Sequence, residues 1–397
     1  MIDQTIIVKK KKRGFVEEFD PEKIHRAIRK SADRILVSLN DEECKRVSDI
    51  VLSKITVPEI TVRKLHNLVE VALDDAGFPR VAESYRQYRN YKEDAQKIME
   101  AVDAKTLELS YKEDRSNANS DSTLVSTKRS ILFGEQQKER YKRMYLNPEE
   151  LEASEKGYIY IHDMKDRLST YNCCLFNLGR VLEGGFTLAN IIYTEPKSLS
   201  AAMSVSIDLI INAASNQYGG LTIPQIDEVL IPYAEKSYNF YKEQYKELVK
   251  DSGGVYDEEK ADKFAEGRVR REAEQQQQHI EHNLNSCSTS RGDFCFVTFT
   301  FGHSTNRWAK LISEVFLDVR KKGQGKEGSK IPVLFPKLVF LYDSELHGPG
   351  KELEPLFDKA VETAKHCMYP DFLSLDAGYV GEVYHKWGCI ISPMGRI

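Results

Sequence analysis

Apolar and polar positions change rhythm several times along this chain. Ile6-Ile7-Val8 reads as a short strand, Gly14 as a turn, and 15–19 as the returning strand of a hairpin. Asp20 stands before Pro21, an N-cap followed by proline at the first helical position. Ile24, Ala27, Ile28 and Ile35 then recur at helical spacing. Further helical patterns fit 41–54, 61–76 and 80–100, so the first hundred residues predict a β-hairpin followed by a small helical bundle. Residues 111–122 lack periodicity and are rich in turn formers, which marks a boundary. Beyond it, helical stretches at 134–145, 198–216, 225–249, 256–283, 305–320 and 352–367 alternate with strand-like runs at 158–161, 294–300, 333–342 and 389–392. That alternation predicts a large α/β layer or barrel. The Gln275–Gln278 run lies inside a charged helical stretch and reads as a solvated helix face.

Composition narrows the class. With 41% hydrophobic and 30% charged residues, and only 23 Gly and 13 Pro in 397, the chain is globular rather than collagen-like or disordered. Lys+Arg 57 against Asp+Glu 61 leaves −4, which argues against a polycation built for direct nucleic-acid binding. No apolar run approaches the roughly 18 residues of a membrane helix, and the N-terminus lacks the order of a signal peptide. Seven cysteines, with no CxxC pair among them, suit a reducing cytosol and predict neither a disulfide framework nor a metal site. The expectation is a soluble cytoplasmic protein.

Charge is uneven at the start: residues 1–30 hold nine Lys/Arg against five Asp/Glu. Lys11, Lys12 and Arg13 precede the glycine turn, while Lys23 and Arg26 lie on the first turns of the next helix. Cations converging near a helix N-terminus suit a polyphosphate, with Glu17 and Asp20 able to accept from a base or ribose. A solvated basic face is the competing reading of the same charges.

The order of residues from Lys11 to Ile28, with Ile60–Glu70 and the closing Tyr85-Arg86-Gln87-Tyr88-Arg89, resembles an ATP-cone, the small regulatory module that binds ATP or dATP in front of ribonucleotide reductases. Arg13 departs from the acidic residue common before the glycine, and Val62 from a hydroxyl found in some members. The resemblance implies ATP and dATP as allosteric effectors, contacted by Lys11, Lys12, Glu17, Asp20, Lys23, Arg26 and, from the module's end, Lys92.

Asn172-Cys173-Cys174 is the second candidate site. Adjacent cysteines chelate metals poorly, and buried small hydrophobes are the plain alternative. The run Ile159-Tyr160-Ile161-His162-Asp163-Met164, Asn172-Cys173 after it, Gly184-Gly185-Phe186 and Gln217-Tyr218-Gly219-Gly220-Leu221-Thr222 resemble anaerobic (class III) ribonucleoside-triphosphate reductases. The resemblance implies an ATP-cone at residues 1–98 and, at 99–397, the first half of a ten-stranded α/β barrel of the glycyl-radical type. It implies that Cys173 is an active-site cysteine facing the substrate ribose, with Asn172 beside it as a substrate contact. Asn285, Ser290 and Arg291, within Asn285–Phe294, become substrate contacts by the same carry-over, although a Ser/Thr/Gly turn between helix and strand explains that stretch equally. Cys44, Cys287, Cys295 and Cys367 read as core cysteines.

The last residues, Val383 to Gly395, resemble the approach to the family's finger loop, where a cysteine follows the glycine after Met; here Arg396 follows instead. Cys389 lies six residues before Gly395 and belongs to the preceding strand. The expectation is an N-terminal part of a reductase, inactive alone, with the glycyl radical and zinc site of the family in a missing C-terminal part. The family implies ribonucleoside triphosphates as substrates, a radical-SAM activase, a homodimer in the complete enzyme and formate or a redoxin as reductant. A complementary C-terminal chain is expected as a further partner, since half a barrel exposes strand edges and an apolar interior that favour aggregation. The alternative is a nucleotide-binding regulatory or interaction protein without reductase activity.

Overall fold

The computed structural model describes residues 6–9, 16–111, 122–168, 171–290, 292–367 and 369–393. Contacts divide the chain into two compact units, Met1–Ala104 and Lys105–Ile397.

In the first unit, β1 (Ile7–Lys9) pairs antiparallel with β2 (Val16–Glu18), Val8 facing Glu17, and parallel with β3 (Glu59–Thr61), Val8 facing Ile60. The helix α1 (Pro21–Asp33) starts as its sequence predicts: the Asp20 carboxylate accepts from the Glu22 backbone N–H at 3.0 Å. α2 (Asp41–Lys54) opens with a reciprocal capping box between Asn40 and Glu43, both bonds 2.9 Å. α3 (Val62–Asp75) is capped by Thr61, and α4 (Pro79–Tyr111) runs past the residue-100 end that its periodicity suggests. Ile24 and Ile28 of α1, Val47 and Val51 of α2, Val69 and Leu73 of α3, and Val81 and Ala82 of α4 form one core.

The second unit begins with α5 (Val125–Tyr145), which starts nine residues before its expected 134, and α6 (Pro148–Glu155). Then come β4 (Cys174–Leu175), α7 (Leu178–Gly184), the hairpin β5 (Phe186–Leu188) and β6 (Ile191–Tyr193), α8 (Leu199–Ser215) and β7 (Leu221–Ile223). The helix expected over 225–249 divides at Leu230 into α9 (Ile226–Val229) and α10 (Ile231–Asp251), the latter carrying Pro232 in its first turn. There follow α11 (Glu258–Ser286), β8 (Val297–Phe301), α12 (Arg307–Lys322), β9 (Lys337–Tyr342), α13 (Ser344–His347), α14 (Glu354–Cys367), β10 (Asp371–Ser374) and α15 (Gly378–Trp387).

β10, β9, β8, β7 and β4 lie in that order in one sheet, every pair parallel. Among the described residues the sheet is open, with β10 and β4 as its edges. Its two faces differ because side chains alternate along each strand. Leu221, Ile223, Val297, Phe299, Phe301, Leu338 and Phe340 point to one side and share a core with the helices, including Met203, Ile280, Ile312 and Phe316. The residues between them, Thr222, Thr298 and Thr300, occupy the opposite face, here called the inner face, and are also buried.

Two expected strands do not form. Residues 158–161 are a bend after α6 with Tyr158 and Tyr160 79% and 84% exposed. Residues 389–392 join no ladder and lie across the sheet instead of within it. Cys389 is therefore an exposed residue after α15 rather than part of a strand. Cys44, Cys295 and Cys367 are buried as expected, but Cys287 is exposed: it is the C-cap of α11, where its thiol donates to Asn283 Oδ1 at 3.5 Å.

Candidate functional site

The chain around Cys173 is shaped by backbone pairing to the segment just before β7. Tyr218 N–H donates to Tyr171 C=O at 3.0 Å, Gly219 N–H to Asn172 C=O at 2.8 Å, and Cys174 N–H to Gly220 C=O at 3.2 Å. This zipper brings Cys173 Sγ within 3.2 Å of the Gly220 N–H, while the thiol donates to Asn172 Oδ1 at 3.1 Å. Gly219 makes the approach possible: a Cβ there would lie 2.3 Å from Cys173 Sγ and 2.5 Å from Asn172 Oδ1. Below it, buried Gln217 donates from Nε2 to Gly220 C=O at 2.9 Å and so braces the turn.

The adjacent cysteines have different surroundings. Cys174 packs against the helix-side core, so alternation sends Cys173 and Leu175 to the inner face. Burial, and then the neighbouring Cys173, push the Cys174 thiol above its ordinary range. Burial also raises the Tyr218 phenol, reinforced by Asp163 and opposed by Arg167.

The other expected substrate residues are placed unequally. Asn285 is fully engaged in structure: its Nδ2 donates to Glu281 C=O and Phe335 C=O, both at 2.6 Å, and its Oδ1 accepts from Leu334 and Phe335 N–H at 3.2 and 3.1 Å. It clamps the strand leading to β9 onto the end of α11. Ser290 is exposed, and its N–H donates to Ser215 Oγ at 3.3 Å, which ties its turn to the end of α8 just before Gln217. Arg291 lies outside the described residues.

In the first unit, Glu17 and Lys23 meet in an ion pair of 2.8 Å at the junction of β2 and α1. Asp20 is occupied as the cap of α1, and Arg26 Nε donates to Glu22 C=O at 3.3 Å. Lys92 stands on α4 with its Nζ 4.7 Å from the Tyr88 ring centroid, and Arg34, which the sequence reading did not single out, covers the same ring at 3.5 Å. No described contact joins Lys92 to Glu17 or Lys23. Lys11 and Lys12 lie outside the described residues.

A polar cluster missed in the sequence joins α3 and α4. His66 Nδ1 is 2.5 Å from Tyr85 Oη, Arg86 Nε donates to Glu70 at 3.1 Å, and Arg89 bridges Glu70 and Asn67. Burial, then Arg89, lower the His66 pKa and keep the ring neutral. Its helical spacing, His66 to Glu70 and Arg86 to Arg89, was the available signal.

Among the described residues no group of His, Cys, Asp and Glu side chains could hold a metal ion, and no helix is long and apolar enough to cross a membrane.

Comparison with known proteins agrees with this division. Residues 116–395 match the family model for anaerobic ribonucleoside-triphosphate reductase, and residues 7–94 match that for the ATP cone domain. The chain is 32% identical to the anaerobic ribonucleoside-triphosphate reductase of Haemophilus influenzae over 97% of its own length and 54% of that protein. It is 30% identical to the Escherichia coli protein of the same name, covering 97% of itself and 53% of the relative. The chain thus spans about half the length of these curated relatives. Among solved structures, the anaerobic ribonucleotide reductase from Thermotoga maritima with dATP bound in the specificity site aligns at TM-score 0.46 and 15% identity, covering 74% of this chain and 51% of that one.

Proposed function

The chain belongs to the anaerobic ribonucleoside-triphosphate reductase family and carries that family's ATP-cone, and from this premise we propose that it supplies the effector-binding module and the first substrate-facing part of an enzyme that replaces the 2′-hydroxyl of ribonucleoside triphosphates with hydrogen. The observation that carries the reading is Cys173: a thiol on the inner sheet face, held between Asn172 Oδ1 and the Gly220 N–H, over a glycine that admits it. Hydrogen-atom transfer needs a protonated sulfur. Donation to the Asn172 carbonyl oxygen keeps the S–H oriented, and the Gly220 N–H fixes the sulfur's position. Cys174 is turned toward the helices, so Cys173 is the cysteine of this pair that can meet a ribose. The five parallel strands are then half of a ten-stranded barrel, and the inner face is its lumen.

The radical itself, in this reading, comes from a glycyl residue in the remaining length of the family's proteins, installed by a separate radical-SAM activase. This chain's residues bind, orient and exclude water. On the cone, Lys23 and Arg26 near the N-terminus of α1 suit the phosphates of ATP or dATP, Glu17 a ribose hydroxyl, and the Arg34–Tyr88–Lys92 stack a base or phosphate edge. Asp20, already spent on the helix cap, acts by holding α1 in place.

The test mixes the purified chain with the C-terminal portion of a relative, an activase supplied with S-adenosylmethionine and an electron donor, a ribonucleoside triphosphate, and formate or a reduced redoxin as reductant, and follows deoxynucleoside triphosphate by chromatography. Product that disappears with Cys173→Ser supports the reading, and product indifferent to that change overturns it. Calorimetry with ATP and dATP on the chain alone tests the cone; no heat from either removes the effector assignment. Heat without product in any mixture favours a regulatory, non-reducing protein.

A further inference from the structure

The stretch from Gly388 to Pro393, after α15, crosses the inner face of the sheet without joining it. Among the described residues no backbone–backbone hydrogen bond reaches 389–393, yet Ser392 is buried. What holds this strap is a pair of threonine hydroxyls. Thr222 Oγ1 of β7 donates to Pro393 C=O at 2.6 Å. Thr300 Oγ1 of β8 accepts from Gln225 N–H at 2.9 Å, which leaves its own hydrogen for Ser392 Oγ at 3.2 Å. At the strap's base, Tyr384 Oη of α15 donates to Asp343 Oδ2 at 3.2 Å and lies 3.1 Å from His303 Nε2, both residues following the C-terminal ends of β9 and β8.

Direction follows from strand order. The strap meets β8 at Ser392 and β7 at Pro393, and the next strand is β4, which Cys173 immediately precedes. Thr298 lies in register with Thr222 on the same face; it is 1% exposed and its Oγ1 has no partner. The polar row is therefore closed over by what lies on it.

We propose that Thr222 and Thr300 are positioning residues: their hydroxyls seat the 388–393 strap on the inner face and aim it toward Cys173. As a statement about catalysis this rests on the reductase reading; as a statement about where the strap lies it does not. Valine is close to threonine in shape and removes only the hydroxyl, so the substitution separates the bond from the packing.

Limited proteolysis of the full chain by thermolysin, read by mass spectrometry, tests the seat, because a protease must lift a segment off the sheet to cut it whether or not its amides are hydrogen-bonded. With Thr222→Val and Thr300→Val together, the rate of cleavage within 388–392 is expected to rise at least tenfold while β7 and β8 stay uncut as in the wild type. Thr222→Ser with Thr300→Ser is expected to restore the wild-type pattern. Unchanged strap cleavage in the valine variant overturns the proposal, as does equal loosening of the strap and both strands, the mark of a merely structural role. Should the valine variant not fold, Ser392→Ala removes Thr300's partner without touching the sheet; a threefold or greater rise in cleavage supports the seat and no rise overturns it. In the reconstituted mixture the valine pair is expected to lower kcat with little change in KM. Absence of turnover from the wild-type mixture sinks the reductase reading and leaves the proteolysis result standing.

Discussion

The two units use charged and polar side chains in opposite ways. In the cone unit the Lys23–Glu17 pair stands in solvent, the side chains 51% and 30% exposed. In the sheet unit the Arg320–Glu281 pair of 2.9 Å is 0% exposed on both sides, with Arg320 Nη2 also donating to Pro336 C=O at 2.7 Å. The first pair remains available to a ligand from solution, whereas the second is used up internally. A binding module needs unspent charge at its surface, whereas a site for radical chemistry needs rigid, water-poor surroundings.

The sharpest way to break this contrast is Cys173→Ser. In a reconstituted reductase it is expected to reduce turnover by about a thousandfold or more, with ATP binding by calorimetry unchanged; equal loss of both would erase the division of labour. Next, Arg320→Ala leaves Glu281 as an unpaired buried carboxylate and is expected to cost about 3–5 kcal/mol in urea unfolding of the sheet unit. Glu17→Ala, which breaks the exposed pair, is expected to cost less than about 1 kcal/mol.

A smaller effect tests burial through pH. Asp227 accepts from Gly302 N–H and Ser313 Oγ, both at 2.9 Å, and burial raises its pKa to about 7 despite those bonds. Because the folded value lies above the unfolded value of about 3.9, this group's stabilisation is fully present below pH about 4 and declines as pH rises through about 7. Asp227→Asn is expected to flatten the dependence of the unfolding midpoint between pH 4 and 8, by an amount on the order of a few kcal/mol. An unaltered slope would show that another group carries it. On the cone, Lys23→Ala is expected to weaken ATP or dATP binding about tenfold, roughly 1.4 kcal/mol, with no change in the sheet unit's unfolding.

Much of the secondary structure was legible because its signals are local. Asp20 before Pro21 announced α1, and helical periodicity located α2, α3, α8, α11, α12 and α14 within a few residues. Short strands were harder. β4, β7 and β10 have two to four residues each, too few for a period to declare itself. The pattern at 158–161 declared a strand, and the residues form an exposed bend instead. The candidate site divided along the same line: Cys173 and the Gly219-Gly220 pair could be picked out from a family resemblance, but not the fact that they touch. Asn285 looked like a substrate ligand because an amide suits a ribose; its four hydrogen bonds to the backbone could be counted only once α11 and the 334–335 stretch were side by side.

By itself the sequence determined the Asp20 cap of α1, the helical runs of α2, α3, α8, α11, α12 and α14, and the split into an N-terminal module and an α/β remainder. These depend on interactions among residues within about four positions of one another, which the order of side chains dictates directly. Only the tertiary structure decided that Gly219 must lack a side chain for Cys173, that Cys174 turns away from it, and that Pro393 rests on Thr222. Each of those is a contact between residues far apart in the chain or a choice between two faces. Its free energy exists only after strand order has been settled by burying one hydrophobic side of the sheet.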